Sequence, residues 1–330
     1  MDRLQIYTKA DILALVNPRS GETKLGEKVQ VYPHSGIPLS ITGLELSTAK
    51  FVLLGIPEDI GVRANLGIGG TQSAWPVALK TLLNIQSNHF LSGEDILVLG
   101  HIQVNEPTDQ SVESLRAKTA AIDALVYPII EKIIAADKIP IVIGGGHNNA
   151  FPIIWGSSLA LKQALNVANI DAHADLRNTA EGRHSGNGFS AALEKGFLNG
   201  YRVFGLHENY ANPALNNLTG NNIKCAYFED LLQNEQSISE QWQAFMKGLA
   251  EHSGLEIDLD SIENVLSSAS SPSGFALNDI RKILLTNTKK WRYLHICEGA
   301  VQLENGREDL STGKTIAYLV SDFIKNYLKL

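Results

Sequence analysis

Short apolar runs rich in β-branched residues alternate with longer stretches whose apolar residues recur at helical spacing over most of the chain. The short runs predict eight strands, near residues 51–56, 95–99, 140–143, 166–170, 202–205, 223–228, 255–258 and 292–297. Between them the clearest helix is 112–136, where Leu115, Ile122, Val126, Ile129 and Ile133 share a face. Pro128 inside that run is expected to kink it or divide it in two. Helices are also predicted over 231–250 and 315–328. Strand–helix alternation of this kind implies a mostly parallel sheet covered on both faces, a three-layer α/β/α sandwich of about eight strands. Residues 1–48 fit the alternation poorly and read as an N-terminal arm or subunit-contact segment, with 49–330 as a single domain. The serine-rich stretch 267–274, after the seventh strand, is a turn-rich loop, either a cover over a site or plain surface.

A length of 330 residues permits one large α/β domain or two ordinary ones, and neither an internal repeat nor a composition break marks a second. With 44% hydrophobic residues a sizeable core can be buried, which excludes wholesale disorder. Lys and Arg number 28 against 35 Asp and Glu, a formal charge of -7 with no basic stripe, so nucleic acid is not the expected partner. No run approaches the ~20 apolar residues of a membrane span, and the segment beginning Met1-Asp2-Arg3-Leu4-Gln5 lacks the apolar core of a signal peptide. Cys225 and Cys297 fall in predicted buried strands and read as reduced core thiols. A cytoplasmic protein is expected.

The chemistry collects at strand ends. The third strand runs into Gly144-Gly145-Gly146-His147, and the fourth into Asp171-Ala172-His173-Ala174-Asp175. The seventh ends in Asp258-Leu259-Asp260 and the eighth in Cys297-Glu298. Ligands of open α/β sheets bind outside the carboxyl ends of the strands, so all four clusters face one edge. Side chains alternate along a strand, which sends Asp258 and Asp260 the same way, and likewise Asp171, His173 and Asp175 if the extended backbone persists. Burying four carboxylates together costs several kcal/mol each unless cations neutralise them. Two divalent ions with two His and four Asp ligands would do so, and oxygen and nitrogen donors without a thiolate suit manganese better than zinc. An isolated Asp-x-Asp is usually a solvated loop; the four clusters together favour a metal site. Gly144-Gly145-Gly146 lacks the Lys-Ser/Thr of a phosphate loop, and Gly67-Ile68-Gly69-Gly70 reads as a turn.

These residues resemble the ureohydrolase superfamily of arginase, agmatinase and formimidoylglutamase, through Gly-Gly-x-His, Asp-Ala-His-x-Asp and Asp-x-Asp in that order, from about Phe51 to the C-terminus. The resemblance implies the arginase-like fold and two Mn2+ per chain. It implies His147 and Asp175 as ligands of one ion, His173 and Asp260 of the other, and Asp171 and Asp258 as bridges. Glu298 corresponds to the family glutamate that receives the cationic guanidinium or amidine group. Several details resemble the formimidoylglutamase branch: Gly146 before the ligand His, Asp175-Leu176-Arg177, Gly61-Val62-Arg63-Ala64-Asn65-Leu66-Gly67, and Phe189 where arginase has its proton-shuttling His. Asn187-Gly188 departs from that branch's Thr-Pro, Glu263 from the Asp frequent in arginases, and Gly299-Ala300 from the usual continuation.

The activity implied is hydrolysis of a non-peptide linear amidine, N-formimino-L-glutamate to L-glutamate and formamide, a step of histidine degradation. The resemblance implies that a metal-activated water attacks the amidine carbon, with Glu298 pairing the cationic nitrogen end and Asp175 passing the proton to the leaving amine. His184 is an alternative proton shuttle, with a plain loop histidine as the bland reading. Arg63, Arg177, Arg183 and Asn187 are candidates for binding the substrate, the arginines as planar forks for carboxylates. His101 and His207 follow strands and have no role assigned. The rivals are an arginase or agmatinase activity, a metal-binding paralogue without hydrolysis, and more remotely a deacetylase on a related fold. A small-molecule substrate and a homo-oligomer are the expected partners.

Overall fold

The computed structural model describes residues 2–33, 38–211 and 222–330. The described residues hold ten strands in one sheet: β1 (Arg3–Ile6), β2 (Gln30–Val31), β3 (Phe51–Gly55), β4 (Ile96–Gln103), β5 (Ile139–Ile143), β6 (Leu165–Ile170), β7 (Leu198–Leu206), β8 (Ile223–Tyr227), β9 (Ser253–Asp258) and β10 (Leu294–Cys297). The order is β1-β4-β3-β5-β10-β9-β6-β7-β8, with β2 also on β4. All eight predicted strands are present. The additional two come from the first 48 residues, where β1 runs antiparallel along one half of β4 and β2 parallel along the other. Every other pairing is parallel.

Alternation along the strands builds the two outer layers. Phe51 and Leu53 of β3 join one apolar cluster, with the helices Ala74–Leu83, Leu277–Thr286 and Ser311–Tyr327. Val52 and Leu54 face the other, packed by Val112–Ala135, Ala150–Leu161 and Gly188–Glu194. This is a three-layer sandwich in which fully apolar strands are covered on both faces.

Two helix expectations need correction and a third is settled. The predicted helix 231–250 is two, Phe228–Gln233 and Ile238–Met246. Asn234 Oδ1 accepts the Gln236 N–H at 2.9 Å, and Ser237 caps a new helix through a reciprocal box with Glu240, so local hydrogen bonds outcompete a continuous helix. The last helix starts at Ser311, where Asp309 accepts the Ser311 N–H at 2.8 Å. Val112–Ala135 runs unbroken through Pro128. It is clasped by the helix Ala150–Leu161, whose Gly156 lies so close that a Cβ there would sit 2.3 Å from the Tyr127 carbonyl. No helix of the described residues is long and apolar enough to cross a membrane.

The registers align the strand ends. Ile170 of β6 pairs with Ile257 of β9, which pairs with Ile296 of β10, which pairs with Ile143 of β5. The residues that follow, Asp171, Asp258, Cys297 and Gly144, therefore leave the sheet in one row, with β9 and β10 filling the gap between β5 and β6.

Candidate metal centre

The chain leaves β5 through Gly144 and Gly145, at φ +88° and +77°, a left-handed path that glycine takes without penalty. A Cβ on Gly145 would lie 2.3 Å from Asn149 Nδ2. Glu58, buried in the loop after β3, pins this turn. Its carboxylate accepts from the Gly146 N–H at 3.2 Å, Asn149 Nδ2 at 2.7 Å, Asn148 Nδ2 at 3.2 Å and the Gly61 N–H at 3.1 Å. His147 is thereby held fully buried, and its own N–H donates to Glu298 Oε1 at 2.8 Å.

Three carboxylates converge on His147 Nδ1: Asp171 Oδ2 at 3.2 Å, Asp175 Oδ2 at 3.0 Å and Asp258 Oδ2 at 3.0 Å. Beside this nest is a second, with His173 Nδ1 3.1 Å from Asp260 Oδ2 and 3.7 Å from Asp171 Oδ1. The convergence was expected from strand alternation, but it arises differently. Asp171 Oδ1 accepts the His173 N–H at 2.7 Å and Asp258 Oδ1 the Asp260 N–H at 2.9 Å, so each strand-end aspartate folds the chain into a turn and the extended backbone stops there. Asp175 then lies at φ +49° and Glu298 at φ +60°, left-handed positions of non-glycine residues of the kind that cluster at functional sites.

The electrostatics are those of an anionic nest. Burial opposes charge on His147, yet Cys297, Asp171, Asp175 and Asp258 raise its proton affinity well above the ordinary histidine range. Burial, Asp260 and Asp171 push the Asp258 carboxyl well up. Burial first, then Asp260 and Asp175, push Glu298 up to about 8 against the hydrogen bond from His147. Among the described residues, these four aspartates form ion pairs only with histidines. Both His147 ring nitrogens and Asp260 Oδ1 are buried without a hydrogen-bond partner. Hard oxygen donors, two imidazoles and unpaired buried atoms fit a pair of divalent cations, one per nest.

His173, Asp175, Asp258 and Asp260 of the nests line a cavity of about 250 Å3, with His147 and Asp171 buried behind them. Of the residues expected to act on substrate, Asp175, Glu298 and Arg177 line it, and Asn65, Ser185 and Ser268 contribute polar walls. Arg177 Nη1 donates to Asn65 Oδ1 at 2.8 Å, and its Nη2 lies 3.5 Å from Glu181 Oε2 on a half-exposed side chain. The other candidates are occupied elsewhere. Arg63 is paired with Asp59 at 2.8 Å and Glu106 at 2.6 Å. Arg183 is paired with the buried Asp123 at 2.8 Å and hydrogen-bonded to Asn187, which also donates to the Gly182 carbonyl at 2.7 Å. His184 is buried outside the cavity lining, and its Nδ1 accepts the Gly186 N–H at 3.2 Å as a turn cap. Burial, with Arg177 and Arg116, lowers its pKa to about 4.

A model of the arginase family matches residues 49–320. The chain belongs to the arginase family. A formimidoylglutamase of Geobacillus thermodenitrificans is 27% identical over 303 residues, spanning 89% of this chain and 87% of that relative. One of Macrococcus caseolyticus is 30% identical over 261 residues, spanning 74% and 76%. The fold is shared with the crystal structure of formimidoylglutamase from Bacillus subtilis, at TM-score 0.74 and 16% identity over 95% of this chain and 94% of the other. It is also shared with a Trypanosoma cruzi formiminoglutamase with Mn2+2, at TM-score 0.71 and 17% identity over 88% and 99%.

Sequence reasoning missed three residues of this arginase-family site. Glu58 sits just beyond the end of β3, where the strand-end rule applied to the other clusters would have found it. Tyr210 lines the cavity with its ring stacked on His173, centroids 4.5 Å apart. Nothing in the sequence near Tyr210 signals this. Glu256, two residues before Asp258 in β9, is fully buried behind His147.

Proposed function

We propose that the protein is a dinuclear manganese hydrolase that cleaves N-formimino-L-glutamate to L-glutamate and formamide. One observation carries the choice of substrate. The cavity presents the Glu298 carboxyl beside the nests and the Arg177 guanidinium among its lining residues, complementary to a substrate that is cationic at its amidine and anionic at its carboxylates. The formimidoylglutamase relatives support the same reading.

His147 and Asp175 would hold one ion and His173 and Asp260 the other; Asp171 belongs to both donor groups, and Asp258, which belongs to the first, would be the second shared carboxylate. When bound, the two ions supply Lewis acidity and lower the pKa of a water toward neutrality. Glu298 orients the amidinium, and Arg177 anchors the carboxylate end so that the amidine carbon is presented to the nests. As water oxygen adds to that carbon, Asp175 takes up the proton. It returns the proton to the nitrogen of the breaking C–N bond, and the amine leaves; the hydroxyl proton left on the former amidine carbon's oxygen passes to that amine, so the products are formamide and glutamate with its amino group as ammonium. A left-handed Asp175 in contact with both His147 and the cavity supports this transfer. Phe189 sets its ring edge on His147 at 5.0 Å and contributes no proton-carrying group.

A homo-oligomer in the cytoplasm belongs to the same proposal. The free thiols Cys225 and Cys297 support a reducing compartment, and light scattering tests the assembly. The substrate test is a panel of N-formimino-L-glutamate, L-arginine and agmatine with manganese-loaded protein. Formamide from the first supports the assignment. Urea from either of the others without formamide overturns the substrate, and two bound ions without turnover of any of them overturns the enzyme.

A further inference from the structure

A buried carboxylate with three partners lies behind the metal nests. Glu256 is fully enclosed in β9 and faces His295 of β10 directly across the ladder. Its Oε1 accepts the Tyr293 hydroxyl at 2.7 Å, and its Oε2 lies 2.5 Å from His295 Nδ1. The same Oε2 is 3.6 Å from His147 Nε2, beyond hydrogen-bond length but within ion-pair reach. A glutamate in mid-sheet is costly to bury and has no route to the cavity, whose lining excludes it.

We infer that Glu256 is a positioning residue for the metal centre: its carboxylate, 3.6 Å behind Nε2, favours the proton on that nitrogen electrostatically and leaves the Nδ1 lone pair toward Asp171, Asp175 and Asp258. An imidazole ligand has two nitrogens, and the partner of the distal one decides which is free to bind a cation. Tyr293 and His295 in turn fix the carboxylate, while the edge of Phe189 confines the ring from another side. Among the described residues His173 has no such arrangement: it is part exposed, and Tyr210 stacks on its ring. Glu256 therefore acts on one nest and not the other.

This rests on the dinuclear reading above, and the test separates the two. Apo-protein is titrated with MnCl2 while the electron paramagnetic resonance signal of free Mn2+ is followed. Wild-type protein takes up two ions and shows the signal of a spin-coupled pair. E256Q keeps the volume, retains one ion at wild-type affinity, and binds the second about ten- to a hundredfold more weakly, with the coupled signal lost at low occupancy. Y293F, which leaves Glu256 in place but loosens it, weakens the same site severalfold and serves if E256Q does not fold. Two ions at wild-type affinity in both variants overturn the inference, as does equal weakening of both sites together with a lowered apo melting temperature. Failure of wild-type protein to bind a pair contradicts the metal centre itself.

Discussion

Asp258 Oδ2 lies 3.0 Å from His147 Nδ1, joining the end of β9 to the loop that leaves β5. Its other oxygen folds the chain so that Asp260 reaches the second nest. Asp171 does the same for His173, from the neighbouring strand. Two aspartates thus position both nests; Asp171 belongs to both donor groups, and Asp258 is the second that the ions would share.

Removal of one shared aspartate is accordingly more damaging than removal of a terminal one. Asp258→Ala should lower kcat for formamide release by about a thousandfold or more, since several kcal/mol of transition-state stabilisation depend on the metal pair. Asp260→Ala should spare one bound ion. Steady-state kinetics beside metal analysis reads both.

Metal uptake should be acid-sensitive. In the metal-free protein the surrounding carboxylates raise the proton affinities of His147 and His173 above the ordinary histidine range. Both rings therefore hold a proton more tightly than free imidazole, and binding must expel it. Manganese affinity should therefore rise with pH, and calorimetry in buffers of different ionisation enthalpy should detect proton release. Uptake without proton release at pH 7 would contradict the assignment of His147 and His173 as ligands.

His184 predicts a separate acid lability. Its pKa falls from 6.5 to about 4 on folding, so between these values the unfolded chain binds the extra proton. Its contribution to stability is complete above pH 6.5, declines as pH falls, and is lost by pH 4. His184→Asn should flatten the dependence of melting temperature on pH in that window, compared with wild type under the same metal-free conditions. Amidine hydrolysis should not lose its proton carrier, because His184 lies outside the cavity lining.

The arginines separate substrate binding from scaffold. Arg177→Ala should raise KM for N-formimino-L-glutamate about ten- to a hundredfold with little change in kcat, the loss expected for one charge-assisted contact. Arg63→Ala should leave KM unchanged, because its guanidinium is engaged by Asp59 and Glu106.

The metal donors were legible because they occupy strand ends: a run of apolar residues followed by Asp or His carries both position and chemistry. Eight strands and their mostly parallel direction followed from the same alternation. The supports were not legible. Glu256 and His295 are 39 residues apart and meet only through the register of β9 and β10. Arg63, Arg183 and Asn187 sat in suggestive segments, but which acid each meets depends on loop paths that spacing does not encode. The division of helix 231–250 escaped notice because its apolar periodicity continues across the Asn234–Ser237 break.

The most direct measurement is an anomalous difference map from crystals of the manganese-loaded protein. Two peaks are expected about 3.5–4 Å apart. One should adjoin His147 Nδ1 and Asp175 and the other His173 Nδ1 and Asp260, with Asp171 and Asp258 reaching both. A single peak, or density instead among His147, His295 and Cys297, would contradict the dinuclear centre.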